Sequence, residues 1–158
     1  MQLLLLRHAD AVPAASTDDA RPLSGKGVQQ AQRVARFCKE HGLCPGLVLS
    51  SPFLRTEQTA RIVAKALDAE LVLISFLASG MLPEAAMEEL RAYLRFDSLL
   101  LVGHEPDLSA LAGALLGAGN SGAVRMRKAT LAGLEVESLT AGGARLDFLI
   151  PAKLMEKD

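Results

Sequence analysis

At 158 residues the chain is the size of one ordinary domain, expected to be a single domain over 1–158 that buries a core without disulfides or structural metals. Half of its residues are apolar and Trp is absent, which excludes a disordered or fibrous chain and predicts an aliphatic core. A net charge of −1, with Lys and Arg spread along the chain, gives no broad positive field, so no nucleic acid and no membrane surface is expected as a partner, and any anion site must be local.

Leu3 to Leu6 is a continuous apolar run, too short for a helix and of the kind that forms a strand buried on both faces. It lacks the positive n-region and small-residue cleavage site of a secretory signal, and no apolar run approaches the roughly 20 residues that span a bilayer, so a cytoplasmic location is expected. The run ends on Arg7-His8. Residues 10–27, "DAVPAASTDDARPLSGKG", follow as the one long irregular stretch, and loops of that length inside compact domains tend to be functional. Its "SGKG" lacks the Walker glycine spacing and has Gly27 after Lys26 in place of Ser or Thr, so Ser24 reads as a helix N-cap instead of part of a nucleotide loop.

Val28, Ala31, Ala35 and Cys38 share one face of the next helix, with Gln29, Gln32, Arg33, Arg36 and Lys39 opposite. It ends at His41-Gly42, glycine suiting the position after the cap and His41 complementing the helix dipole. Cys38 and Cys44 match neither a zinc pattern nor a CxxC pair and read as reduced thiols. A strand at Leu47 to Leu49 leads to Ser51-Pro52, an N-cap followed by proline at the first helical position, for a helix reaching about Leu67.

Further along, Leu71 to Ile74 and Leu99 to Val102 read as buried strands, with helices over Glu84 to Leu94 and from Pro106 to about Leu116. Met81 and Met87 read as gap-fillers in a core. Ala129 to Val136 and Ala144 to Ile150, joined by "SLTAGG", predict a closing hairpin at a sheet edge. The expected fold is therefore α/β: a three-layer sandwich, its central sheet mostly parallel, with helices on both faces and a C-terminal strand hairpin.

Ligands of open α/β sheets lie beyond the carboxyl ends of the strands. There the first strand delivers Arg7-His8, the second Ser50-Ser51 with Arg55 one turn on, and the fourth Gly103-His104-Glu105. Guanidinium groups offer planar forks of donors that match phosphate oxygens, so Arg7 and Arg55 read as a phosphate clamp, with Ser51 capping its helix or touching the anion. A neutral imidazole beside them can attack phosphorus while a second stabilises the equatorial oxygens, and the residues alone leave open which is which. His8, Asp10, His104 and Glu105 are not expected to bind a metal, because two arginines would repel it, and no cofactor is expected.

The segments "LLLRHADA" at 4–11, "RPLSGKGVQQA" at 21–31, "LSSPFLRTEQTA" at 49–60 and "LLLVGHEPDLS" at 99–109 resemble, in order and spacing, the histidine phosphatase superfamily. The superfamily is also called phosphoglycerate-mutase-like, and the resemblance is to its short SixA-type phosphohistidine phosphatases. It implies the phosphoglycerate-mutase-like fold, with His8 as the phosphorylated nucleophile, Arg7 and Arg55 on phosphate, His104 completing the pocket and Arg21 lining the substrate loop.

Two departures from the family pattern stand out. Ala9 replaces the usual glycine and cannot freely take positive φ, and no residue clearly matches the general acid, for which Glu84, Asp10 and Glu105 are candidates. A poor acid suits phosphohistidine, whose protonated imidazole leaves as a neutral ring near a pKa of about 6.5, better than an alcohol ester. The partner implied is a phosphorylated protein, such as a histidine phosphotransfer domain, or a small phosphorylated metabolite. The alternatives are a small-molecule phosphomonoesterase and a non-catalytic phosphoryl carrier or phosphohistidine-binding module. The long insertions that close the pocket in the resembling mutases are lacking, which argues against a mutase.

Overall fold

The four leucines that open the chain are completely buried, and they alternate between two separate cores. In the computed structural model, which describes residues 1–119 and 122–156, they lie in β1 (Gln2–Arg7). Leu3 and Leu5 belong to one apolar cluster, Leu4 and Leu6 to the other, as the period-2 alternation of a central strand requires.

The chain continues through α1 (Gly25–Glu40), β2 (Leu47–Ser50), α2 (Leu54–Ala66), β3 (Leu71–Leu73), α3 (Pro83–Leu90), β4 (Ser98–Gly103), α4 (Asp107–Leu115), β5 (Thr130–Val136) and β6 (Ala144–Pro151). The strands form one sheet in the order β3-β2-β4-β1-β5-β6. The first four strands are mutually parallel, and β5 and β6 add an antiparallel hairpin at the far edge. Helices α1 and α2 cover one face through Ala31, Val34, Cys38, Ala60 and Val63. Helices α3 and α4 cover the other through Met87, Leu90, Leu108 and Leu111, with Met81 also in that core. The three-layer α/β sandwich expected from the sequence is the fold. Among the described residues no helix is long and apolar enough to cross a membrane.

Several local expectations need correction. Where Ser51-Pro52 predicts a helix start, α2 begins at Leu54 with Phe53 in the N-cap position, because the Ser51 hydroxyl is engaged elsewhere. The third helix stops at Leu90 and passes into a 3₁₀ turn at Arg91–Tyr93 instead of continuing to Leu94. Strand β3 is not buried: it pairs only with β2 at the sheet edge, Leu71 and Val72 are half-buried and Leu73 is exposed. The irregular stretch expected over residues 10–27 ends where α1 begins at Gly25, and it is held by a bridge between Ala11 and Leu23 and by Val12 N–H on the Pro22 carbonyl. Cys38 and Cys44 are free, as the sequence implies, and burial pushes the Cys38 thiol up to about 12.

Ser24 caps α1 as expected, its Oγ accepting from Gly27 N–H at 3.1 Å while its hydroxyl donates to Asp10 Oδ2 at 2.6 Å. Gly27 packs so closely that a Cβ would collide with the Asp10 carbonyl, so the joint between α1 and the loop after β1 admits only glycine. Alanine gains about 1 kcal/mol in helix propensity, whereas overpacking against backbone costs about 1–3 kcal/mol, so the clash wins. Gly27→Ala is therefore expected to lower unfolding free energy by up to about 2 kcal/mol in urea denaturation, the difference of those terms; a more stable variant would refute the close joint.

Candidate active site

Strand register decides which side chains meet. Arg7 of β1 lies beside Gly103 of β4, and Ser50 of β2 lies beside Val102 of β4, so three neighbouring strands end level with one another. The residues that follow, His8, His104 and Ser51, leave the sheet at one edge, tied by His8 N–H to the Gly103 carbonyl and Ser51 N–H to the Val102 carbonyl. Both imidazoles are buried, their centroids 5.6 Å apart.

The two rings are in different hydrogen-bonding states. His8 Nδ1 is 2.8 Å from the Ala9 carbonyl, and since a carbonyl only accepts, Nδ1 carries the proton and Nε2 the lone pair. Nε2 makes no hydrogen bond to the described residues. His104 Nε2 is 2.7 Å from Ser51 Oγ, which also accepts from Phe53 N–H at 3.2 Å. The assignment that satisfies the hydroxyl proton has Ser51 donating to Nε2, which puts the His104 proton on Nδ1, a buried atom with no partner among the described residues. One ring presents a lone pair and the other a spare donor.

Ala9, where the family pattern has glycine, is fully buried and does not adopt positive φ, so alanine fits without strain. Its N–H donates to Thr59 Oγ1 at 3.1 Å, and that hydroxyl donates to the Arg55 carbonyl, linking β1 to α2.

Arg55, on the first turn of α2, is buried and lies 5.1 Å from the centroid of the Phe53 ring, whose other neighbour is His104 at 4.8 Å between centroids. Its Nη1 donates to the Asp18 carbonyl at 2.9 Å and its Nη2 to Asp18 Oδ2 at 3.2 Å. Arg7 is half-buried and donates through Nη1 to the Met126 carbonyl at 3.1 Å. The Nε atoms of both arginines are buried without a partner among the described residues. Burial lowers the Arg7 pKa, Glu105 opposing and Arg55 adding to the effect. Burial also pushes His8 down to about 3, against the Ala9 carbonyl and with help from Arg55, His104 and Arg7. His104 falls to about 4, through burial first and then Arg55 and Arg7, with Asp18 opposing. The cluster holds buried cationic donors, neutral rings and too few acceptors, which is the chemistry of a pocket for an oxyanion.

The remaining candidates are dispersed. Arg21 does not join the rings; its Nη1 pairs with Asp18 Oδ1 at 3.5 Å, so Asp18 stands between Arg21 and Arg55. Glu84 is exposed in the first turn of α3 and lines a separate groove with Pro83, Ala110 and Ala114, to which no imidazole or clamp arginine contributes. Asp10 accepts from Ser24 and Lys128, and those two bonds lower its pKa. Both carboxylate oxygens of Glu105 accept from Ser109, one from its N–H and one from its hydroxyl. Asp18, Phe53 and the Met126 carbonyl are parts of the site that sequence reasoning missed. The only signal was the length of the 10–27 loop.

Comparison with known proteins bears on this arrangement. The family model of the histidine phosphatase superfamily (branch 1) matches residues 3–78. An uncharacterised protein of a Picosynechococcus strain is 33% identical over 92% of this chain and 88% of its own. Phosphohistidine phosphatase SixA of Escherichia coli is 38% identical over 43% of this chain and 42% of its own. Among solved structures, protein histidine phosphatase SixA complexed with tungstate superposes with a TM-score of 0.87 at 24% identity, covering 97% of this chain and 98% of that one. The alpha-ribazole phosphatase of Shigella flexneri gives 0.80 at 19% identity, covering 100% of both. At those identities the two structures speak for the fold.

The depressed imidazole pKa values have a testable sign. A ring that resists protonation when folded but accepts a proton near its ordinary pKa of 6.5 when unfolded makes acid favour the unfolded chain. Stability should therefore be level above about pH 6.5 and fall as pH drops toward 4. In ligand-free protein, NMR of the ring nitrogens should show His8 and His104 still neutral at about pH 5. Titration midpoints between 6 and 7 would contradict the buried, arginine-flanked geometry.

Proposed function

Because the chain belongs to the histidine phosphatase superfamily and is a phosphatase with a histidine nucleophile, we propose that its substrate is phosphohistidine carried by a protein and that His8 is the nucleophile. The observation that carries the choice of nucleophile is the hydrogen-bond partner of each ring, from which the tautomers are assigned. The His8 lone pair on Nε2 is unengaged, whereas His104 Nε2 is taken by Ser51 and its other nitrogen carries a proton.

In the first step Nε2 of His8 attacks phosphorus, the bond from phosphorus to the substrate nitrogen breaks, and the phosphoryl group passes to His8. The leaving imidazole, protonated on its other nitrogen before the step, departs as a neutral ring. In the second step a water oxygen attacks the phosphohistidine enzyme, the P–Nε2 bond breaks and inorganic phosphate leaves with the water protons shared between it and solvent. The Ala9 carbonyl holds the His8 proton on Nδ1 throughout, which keeps Nε2 aimed at phosphorus.

Arg7, Arg55 and His104 Nδ1 supply donors to the equatorial oxygens, a stabilisation present before the reaction begins. Ser51 acts through His104, fixing its tautomer. Arg21 acts through Asp18 on Arg55. Glu84 is assigned no proton transfer. Free Cys38 and Cys44 are in keeping with a cytoplasmic protein.

The substrate class rests on the carboxyls. Asp10 is held ionised, Glu105 is occupied by Ser109, and Glu84 lines a different groove. Without a general acid, an alkoxide leaving group forfeits a factor of about 10²–10⁴, whereas a protonated imidazole forfeits little. A phosphorylated histidine phosphotransfer domain is accordingly expected to be hydrolysed with kcat/KM about 10²-fold or more above phosphoserine peptide or sugar phosphate. His8→Ala should abolish turnover of all three. A preference for the alcohol esters would overturn the substrate class, and residual turnover in the alanine variant would overturn the nucleophile.

A further inference from the structure

Arg7 also forms one end of a groove of about 550 Å³ that extends away from the imidazoles. Three segments far apart in sequence bring cations to it: Lys26 from the start of α1, Arg125, Arg127 and Lys128 from the stretch before β5, and Lys153 from the 3₁₀ turn that follows β6. Among the described residues only two carboxylates line it, Asp10 and Glu105. The first is bound by Lys128 at 2.9 Å and by Ser24, the second by Ser109. Lys26, Arg125, Arg127 and Lys153 are exposed and form no ion pair among the described residues.

This concentration is not a matter of composition, because the whole chain has a net charge of −1. Nor is the groove detached from the chemistry: the Met126 carbonyl accepts from Arg7, so the segment bearing Arg125 and Arg127 is tied to the phosphate clamp. A small phosphate ester places its charge between Arg7 and Arg55 and has nothing left to offer the outer cations. Those cations sit on separate elements around an open rim, where they can engage only a molecule that extends beyond its phosphoryl group. Charges at a rim act mainly by raising association rates in a salt-dependent way.

We infer that this groove receives the acidic flank of a phosphorylated protein, carboxylates beside its phosphohistidine pairing with Arg125, Arg127 and Lys153 while the phosphoryl group enters between Arg7 and Arg55. The inference rests on the phosphohistidine reading and adds a selection rule to it. Substrates are sorted by the charge beside the modified histidine, with the reacting atoms the same in every case.

The test uses two phosphohistidine peptides of one sequence, flanked by either glutamates or lysines, with para-nitrophenyl phosphate as a substrate that has no flank. Wild type is compared with the double variant Arg125→Glu, Arg127→Glu at about 20 mM and about 500 mM salt, on either side of effective screening. Wild type should prefer the glutamate-flanked peptide about tenfold in kcat/KM at low salt and lose that preference at high salt. The double variant should lose or reverse the preference while turning over para-nitrophenyl phosphate as wild type does.

Equal turnover of the two peptides by wild type, or a preference that survives the charge reversal, would overturn the groove's role. Hydrolysis of para-nitrophenyl phosphate but of neither peptide would instead overturn the phosphohistidine reading itself.

Discussion

Two arginines, Arg55 buried and Arg7 half-buried, repel each other beside the same imidazoles, and nothing among their immediate partners fully cancels that repulsion. Asp18 satisfies two donors of Arg55 and the Met126 carbonyl one of Arg7, yet among the described residues both Nε atoms and the His104 Nδ1 stay without acceptors. Buried charges and donors in this condition cost the folded chain free energy that a doubly charged oxyanion recovers on binding. The same electrostatics keep the rings neutral, because protonating either would add a third cation to the cluster. The proposed phosphate clamp and the proposed nucleophile thus draw on one charge arrangement.

That arrangement is set by the sheet. Parallel pairing of β1 with β4 and of β4 with β2 ends three strands at one level, and each contributes the next residue in its chain to the site. The leucines behind those residues are locked into two cores, so a slip of register would exchange core faces as well as dismantle the site. Rigid placement matters here because the chemistry consists largely of positioning and electrostatic stabilisation.

Arg7, His8, Arg55 and His104 were legible in the sequence because each directly follows, or lies one turn beyond, an apolar run whose strand character is strong. The three-layer fold was legible for the same reason. Asp18, Phe53 and Met126 were not, because their contacts join segments that no local spacing relates. The start of α2 was misplaced because Ser51-Pro52 satisfies local capping rules, while the Ser51 hydroxyl is used by a histidine 53 positions away. The edge exposure of β3 depends on strand order, which an apolar triplet does not encode. The cationic groove escaped notice because its charges are dispersed in the chain and gathered only by the fold.

The account stands on His8 offering Nε2, and not Nδ1, to phosphorus. Its most direct test is to load the protein from phosphoramidate, trap it in alkaline denaturant where phosphohistidine survives, and identify the modified nitrogen by ³¹P NMR and peptide mapping. A phosphoryl group on Nε2 of His8 is the predicted result. Phosphate on Nδ1 of that ring, or on His104, would contradict it.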